Sequence, residues 1–169
     1  MIQILGISGS IRKASTNTKM LHTVAALGKG RINMPVFCAL DTLPPYNPDL
    51  DLSGRPLHDS VVRFRQTCEQ AQAVLFACPE YGHGIPGVLK NALDWLVSSG
   101  EINQKPVAVT NAYSNRARGW SGLESLIRTL RAMDSTITGC NTPEQALSEA
   151  NLVQNQVRAL IAAVQTSPA

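Results

Sequence analysis

"AVLFACPEYGHGIPGVLKNALDWL", residues 73–96, changes character twice along its length. AVLFAC is apolar without a break, the pattern of a strand covered on both faces of a sheet. Pro79 ends that run, and a loop dense in Gly and Pro follows, with Glu80, Tyr81 and His83 set among Gly82, Gly84 and Gly87. Residues 86–97 then read as an amphipathic helix. A strand hidden on both faces needs helices on both sides of its sheet, so this stretch alone points to a parallel α/β architecture. A turn from strand to helix requires neither a carboxylate nor an imidazole, which makes the loop a candidate site.

The rest of the chain repeats the unit. Residues 2–8 form an apolar run bounded by Gly and Ser, and residues 17–27 place Met20, Leu21, Val24 and Leu27 at helical spacing. Residues 32–40 are a second apolar run, followed by the Pro-rich "DTLPPYNPDLDLSGRP", expected to lie on the surface. Pro56 suits the first turn of a helix over residues 57–72. Beyond residue 97 come the apolar strand "PVAVTNA", the polar loop "YSNRARGWSG", and a helix with Leu123, Leu126, Ile127 and Leu130 on one side. A short strand at residues 137–140 and a helix over residues 143–164 complete the pattern. Five strands alternating with helices predict one domain over residues 1–169, a parallel sheet between two helical layers. In such sheets ligands bind beyond the carboxyl ends of the strands, where the strand order reverses.

Composition narrows the function classes. Apolar residues are 44% of the chain and charged residues 16%, with no run of like charge, which excludes a disordered or polyelectrolyte chain. The net charge of +3 comes from scattered Lys and Arg, with no basic stripe for nucleic acid. The opening "MIQILGISGSIRK" has no basic leader, and no apolar run approaches the about 18 residues of a membrane span. A cytoplasmic protein without nucleic-acid or membrane partners is therefore expected. Cys38, Cys68, Cys78 and Cys140 show neither C-x-x-C spacing nor metal-ligand intervals with His22, His58 or His83, so buried free thiols and no metal are expected.

The loop after the first strand, "GISGSIRKASTN", offers Ser8, Ser10, Ser15, Thr16 and Asn17 as hydrogen-bonding groups and Arg12 as a cation, just before a helix N-terminus. Backbone N–H groups, hydroxyls and the positive helix end make an anion site, and phosphate is the natural guest. The plainer alternative is that Ser15 or Asn17 only caps the helix and Arg12 is a solvated charge. Gly6 and Gly9 do not form G-x-G-x-x-G, and the P-loop pattern is absent, so both of those nucleotide folds drop out. At the second loop, the glycines let backbone groups approach a flat ring closely. Against that, Tyr81 as a rim residue, His83 as exposed and Glu80 as a solvated turn residue remain open.

With these residues assembled, "GSIRKASTN" resembles the G-S-x-R-x-x-S-x-N phosphate loop of the NADPH-dependent FMN reductase family, which includes chromate, quinone and azo reductases. "PEYGHGIPGVLKNALDWL" resembles that family's P-E-Y-x-x-x-x-P-G-x-L-K-N-A-x-D-W-L segment, and "LPPYNPDL" (residues 43–50) its strand-two loop. The resemblance implies a flavodoxin-like three-layer sandwich with a five-stranded parallel sheet in the order 2-1-3-4-5. It implies that Ser10, Arg12, Ser15, Thr16, Asn17 and Thr18 hold the phosphate of FMN. Pro79, Glu80, Tyr81 and Gly82 would line the isoalloxazine, mainly through backbone groups, and residues 113–115, with Ser114, would close the far side. Where many relatives carry Asn after P-E-Y, this chain has Gly82, His83 and Gly84.

The implied activity is an FMN-dependent NAD(P)H oxidoreductase. Hydride would pass from the nicotinamide of NADPH or NADH to flavin N5 and, in ping-pong turnover, to a quinone, azo, flavin or metal-oxyanion acceptor. No side chain is assigned a catalytic role. Arg116 and Arg118 are candidates for the phosphates of NAD(P)H, with plain surface charge as the alternative. The resemblance also implies a homodimer or homotetramer, for which Trp95, Leu96 and Trp120 are candidate interface groups, a core position for Trp95 being the alternative. A flavodoxin-type electron carrier is the rival reading, but such carriers are acidic and rich in aromatics, whereas this chain is basic with 5% aromatics. A phospho-acceptor module of the same fold needs clustered carboxylates at strand ends, which Asp41 alone does not supply.

Overall fold

A computed structural model describes residues 1–51, 56–113, 118–140 and 149–166, with side chains from residue 154 onward in the last segment. The chain runs β1 (Ile2–Ser8), α1 (Thr16–Leu27), β2 (Ile32–Asn33), β3 (Val36–Phe37), a 3-10 turn (Leu40–Thr42), α2 (Pro48–Asp51) and α3 (Asp59–Gln70). It continues through β4 (Ala73–Ala77), α4 (Gly87–Val97), β5 (Pro106–Thr110), α5 (Trp120–Ala132), β6 (Thr136–Cys140) and α6 (Glu149–Thr166). All strand pairs are parallel, in the order β2-β1-β4-β5-β6, with β3 also on β1.

The single strand expected over residues 32–40 is therefore two short pieces. Ile2 faces Ile32 and Gly6 faces Val36, the same offset, so β2 and β3 are one edge strand interrupted without a slip in register. Pro35 lies at the break; it has no N–H for the ladder, although its carbonyl still accepts from Gly6 N–H at 2.9 Å. Counting the two pieces as one strand gives the expected order 2-1-3-4-5.

Alternation along the strands builds both cores. Leu5, Ile7, Val74, Phe76, Val107 and Val109 face α3, α4 and α5, where Phe64, Leu93, Trp95 and Leu126 fill the layer. Ile4, Ala73, Leu75, Ala77 and Ala108 face the other way, beneath Leu21 and Val24 of α1 and Leu160 of α6. The central strands β4 and β5 are buried at every position, as an uninterrupted apolar run requires.

The Pro-rich connection is more than a surface loop. Leu40 and Leu43 are buried, and Pro44 O accepts from Trp95 Nε1 at 2.8 Å and Asn91 Nδ2 at 3.0 Å. Asn91 Oδ1 in turn accepts from Tyr46 N–H at 2.7 Å, and the Tyr46 ring meets Trp95 edge-on at 5.1 Å. Arg65 of α3 reaches Asp51 at 2.9 Å and the Trp95 carbonyl, fastening the strap to α4. Trp95 and Leu96 are each 1% exposed, so both belong to the core and neither is an interface group. Trp120 is half-buried against the same core.

The third helix begins at Asp59, with His58 as its cap through a 3.3 Å bond from Ser60 N–H to Nδ1, so Pro56 precedes it and does not occupy its first turn. The chain around Pro143 lies outside the described residues. Among the described residues no helix is long and apolar enough to cross a membrane, and no group of His, Cys, Asp and Glu is arranged to hold a metal. The four cysteines are free, but Cys38 is exposed, contrary to the expectation of buried thiols.

Candidate functional site

The sheet order reverses between β1 and β4, and the loops after β1, β4 and β5 meet beyond their carboxyl ends. Gly9 N–H donates to Ala77 O at 2.9 Å, and Cys78 N–H donates to Thr110 O at 2.8 Å, carrying the ladder one residue past the strands. A Cβ on Gly9 would stand 3.0 Å from Leu89 and 3.1 Å from Pro79, so a side chain here would crowd both, and glycine eases the close approach of the first two loops.

In the first loop, Ser8 Oγ and Thr18 Oγ1 share a 2.7 Å hydrogen bond that pins the loop to α1. The Ser8 hydroxyl also receives Ser10 N–H at 3.3 Å, and Ser10 Oγ receives Arg12 N–H at 3.4 Å. Ser15 caps α1, its Oγ accepting from Thr18 N–H at 3.2 Å. Asn17 is buried, and its Oδ1 accepts from Ala112 N–H at 2.9 Å, joining the first loop to the one after β5. Capping leaves room for an anion: Ser15 and Asn17 hold the loop, while the N–H groups of Thr16 and Asn17 meet no protein acceptor among the described residues. Arg12 and Thr16 are exposed beside them, and Arg12 has no acidic partner among the described residues. Unfilled amides at a helix start, a free guanidinium and hydroxyls are a donor set that fits a phosphate.

The second loop is built differently. Tyr81 and Gly84 exchange two 3.1 Å backbone hydrogen bonds across a two-residue turn whose centre, Gly82 and His83, has φ of +58° and +59°. Two positive φ values suit the tight left-handed turns that favour Gly and Asn, which accounts for Gly82 directly. Glu80 is directed inward: its Oε2 accepts from Gly122 N–H of α5 at 2.9 Å, and its Oε1 lies 3.3 Å from His83 Nδ1. The Glu80 carboxylate therefore caps α5 from another loop, in the favourable field of the helix start, and is no solvated turn residue. Its backbone N–H donates to the Tyr113 hydroxyl at 3.3 Å.

Pro79 is buried and Tyr81 is 52% exposed on the rim. Gly82 and Gly87 have nothing within 4 Å of where a Cβ would stand, leaving open space beside the turn and the start of α4. Cys78, just before the loop, is fully buried; burial first and the Glu80 carboxylate second push its thiol up to about 12. It stays protonated at neutral pH and donates to Pro79 O at 3.2 Å.

The third loop supplies residues that no motif announced. Asn111 Nδ2 donates to Gly119 O at 3.3 Å while its Oδ1 accepts from Tyr113 N–H at 3.3 Å, closing the loop on itself. Gly119 has φ +92°, and a Cβ there would overlap the Tyr113 ring. Arg118 is exposed with its guanidinium 5.8 Å from the Tyr113 ring centroid. Ser114 and Arg116 lie outside the described residues. A polar residue closing an apolar strand, with a glycine in the loop beyond it, is the signal by which Asn111 and Gly119 could have been found.

The family model for NADPH-dependent FMN reductase matches residues 2–145. An NAD(P)H-dependent FMN reductase of Pseudomonas aeruginosa is 37% identical over 152 residues, covering 88% of this chain and 79% of the relative. An NADPH:quinone oxidoreductase of Arabidopsis thaliana is 29% identical over 164 residues, covering 90% of this chain and 83% of the relative. Among solved structures, a flavoenzyme NAD(P)H:(acceptor) oxidoreductase from Paracoccus denitrificans superposes with a TM-score of 0.77 over 98% of this chain and 96% of its own. At 24% identity that likeness speaks for the fold alone.

Proposed function

The chain belongs to the NADPH-dependent FMN reductase family, and from that premise we propose that it is an FMN-dependent NAD(P)H oxidoreductase acting on a small oxidised acceptor of the quinone class. The observation that carries the reading is the donor set at the start of α1, where the amides of Thr16 and Asn17 lie open beside Arg12. When bound, FMN supplies the ring that takes hydride from NAD(P)H and passes it on.

The chain's own part is to bind and orient. Arg12 offers a charge-assisted contact to a phosphate oxygen, and the Ser10, Ser15, Thr16 and Thr18 hydroxyls and the Asn17 amide complete the shell. Pro79, Glu80, Tyr81 and Gly82 form the ring wall; Glu80 contributes backbone only, because its carboxylate is engaged with α5. Tyr81, on the rim, screens one side of the ring from water. Ser114 remains in the proposal on sequence alone.

The proposal extends to one domain over residues 1–169, to the cytoplasm, in keeping with four unpaired thiols, and to a homodimer or homotetramer. Leu50 of α2, Val62 of α3 and Val97 of α4 are 47%, 36% and 60% exposed on one side of the sheet, which favours that side for the contact between copies. Sedimentation velocity of wild type beside Val97→Glu tests this.

The deciding experiment incubates the protein with FMN, desalts it, and follows the flavin absorbance under anaerobic NADPH, then NADH, then 1,4-benzoquinone. Bleaching by a nicotinamide and recovery with the quinone is the expected sequence. Retained flavin that neither nicotinamide bleaches would replace the reductase with an electron carrier.

A further inference from the structure

A well-formed cavity lies away from the proposed ring wall, between α1 and α6. It is a cleft of about 540 Å³ lined by one stripe of α1 (Thr16, Lys19, Met20, Thr23, Val24, Leu27) and one of α6 (Gln154, Val157, Arg158, Ile161). Gly28, Arg31 and Ile32 bound one end and Ala112 lies at the other. From Thr16 to Gly28 the helix rises about 18 Å, so the cleft is elongated.

Its origin is in the sheet. The strands beneath α1 and α6 carry Ala73, Ala77 and Ala108, and in this layer Met20, Val157 and Ile161 are only partly buried. Lys19, Arg31 and Arg158 line the cleft, no described lining residue is acidic, and none of the three cations has an ion-pair partner among the described residues. An apolar floor under unpaired cations, in a concavity within the roughly 300–1,000 Å³ of small-molecule sites, is complementary to an extended apolar body with a negative head.

We propose that this cleft binds a long-chain carboxylate, its carboxylate on the Lys19 and Arg158 cations of α1 and α6 and its chain along the Val24 and Ile161 floor toward Arg31. The described lining shares Thr16 with the proposed phosphate shell and Ala112 with the loop that Asn17 holds, and the two ligands are expected to bind together.

The probe is dodecanoate, titrated calorimetrically below its micellar concentration into FMN-saturated protein at low salt. Dodecyltrimethylammonium, with the same chain and the opposite head, is the control. Dodecanoate is expected to bind at least about tenfold more tightly than the cation, the preference fading as salt is raised. The pair Lys19→Glu and Arg158→Glu should abolish that preference. Thr23→Trp, which fills the middle of the cleft from an exposed position, should remove binding of both probes; it carries the test if the charge-reversed protein does not fold. Absence of dodecanoate binding, equal affinity for the two heads, indifference to Thr23→Trp, or displacement of dodecanoate by FMN would each overturn the assignment.

Discussion

The loop after β1 and the loop after β4 reach past the same edge of the sheet, yet they use their polar groups in opposite directions. In the first, hydroxyls and Asn17 fix the backbone from within, and the helix-start amides and Arg12 are left facing outward. In the second, the side chain with the strongest charge, Glu80, turns into the protein and fills the start of α5. Of the helices that begin near the site, α1 and α5 differ: among the described residues a carboxylate fills the start of α5 and none fills that of α1. The proposed phosphate fits the start of α1, since a second negative group at the α5 start would be repelled by Glu80 in a poorly solvated space. Under the proposed function the loops divide the labour: one would bind charge, the other shape a wall.

The hardest test of that division is the junction holding the wall to α5. Gly119→Ala places a Cβ on the Tyr113 ring and within 2.8 Å of Asn111 Nδ2, at a backbone φ of +92°. The expected loss is about 2–4 kcal/mol of stability in urea unfolding, together with loss of flavin on desalting. Gly30→Ala is the control: its φ is +88°, but nothing stands within 4 Å of the new Cβ, so only backbone strain of about 1 kcal/mol should appear. Equal losses at the two positions would show that the packing of Tyr113 on Gly119 has no part in the wall.

Next in size is the separation of phosphate from ring. Arg12→Ala should weaken FMN binding about 10- to 100-fold while leaving riboflavin, which lacks the phosphate, unchanged. Glu80→Ala should weaken both by a similar factor, because it loosens the wall and touches no phosphate. Fluorescence titration of the two flavins against the two variants reads the whole comparison. A riboflavin affinity that falls with Arg12→Ala breaks it.

How far the sequence reveals this depends on where a residue's partners lie. The AVLFAC strand, the edge-to-centre order and the helical layers were readable because apolar run length reports burial directly. The proposed phosphate loop stands out in the sequence because its groups lie within a few residues of one another along the chain. The direction of Glu80 was not, since its partner Gly122 is 42 residues away and becomes a neighbour only when α5 packs. Trp95 left two readings open, interface or core, for the same reason: Pro44, 51 residues earlier, supplies the acceptor that lets its Nε1 be buried in the core. The interruption in the second strand followed from Pro35, a local signal hidden inside an otherwise apolar run.

A smaller effect is expected at high pH from Cys78, which sits where β4 hands over to the wall. Its folded pKa is raised from 9.0 to about 12, chiefly by burial. A raised folded value means that the unfolded chain releases this proton first, so the stabilisation is complete below pH 9.0 and lost progressively as pH rises toward about 12. Wild type should lose up to about 1.4 kcal/mol per pH unit in that window from this thiol. Cys78→Ala should flatten the slope by the equivalent of one proton. An unchanged slope between pH 9 and 11 would remove Cys78 from the account.

The smallest effect, and the one of opposite sign, is at the turn itself. Gly82 and His83 share nearly the same φ, +58° and +59°, yet only one of them is the residue that adopts it freely. Two terms compete at His83: backbone strain, which glycine relieves, and the contact with Glu80 Oε1 at 3.3 Å, which glycine loses. The imidazole is 87% exposed, so water and salt screen that contact, and strain should prevail. Part of the gain is offset because glycine also loosens the unfolded chain. His83→Gly is therefore expected to stabilise the fold by no more than about 0.5 kcal/mol in thermal unfolding, with FMN affinity unaltered. Gly82→Ala, at the neighbouring position of the same turn, should cost about 1 kcal/mol. Destabilisation by His83→Gly that disappears at high salt would mean that the Glu80 contact, and not the turn, holds His83 in place, and would extend the inward-facing network of the wall by one more residue.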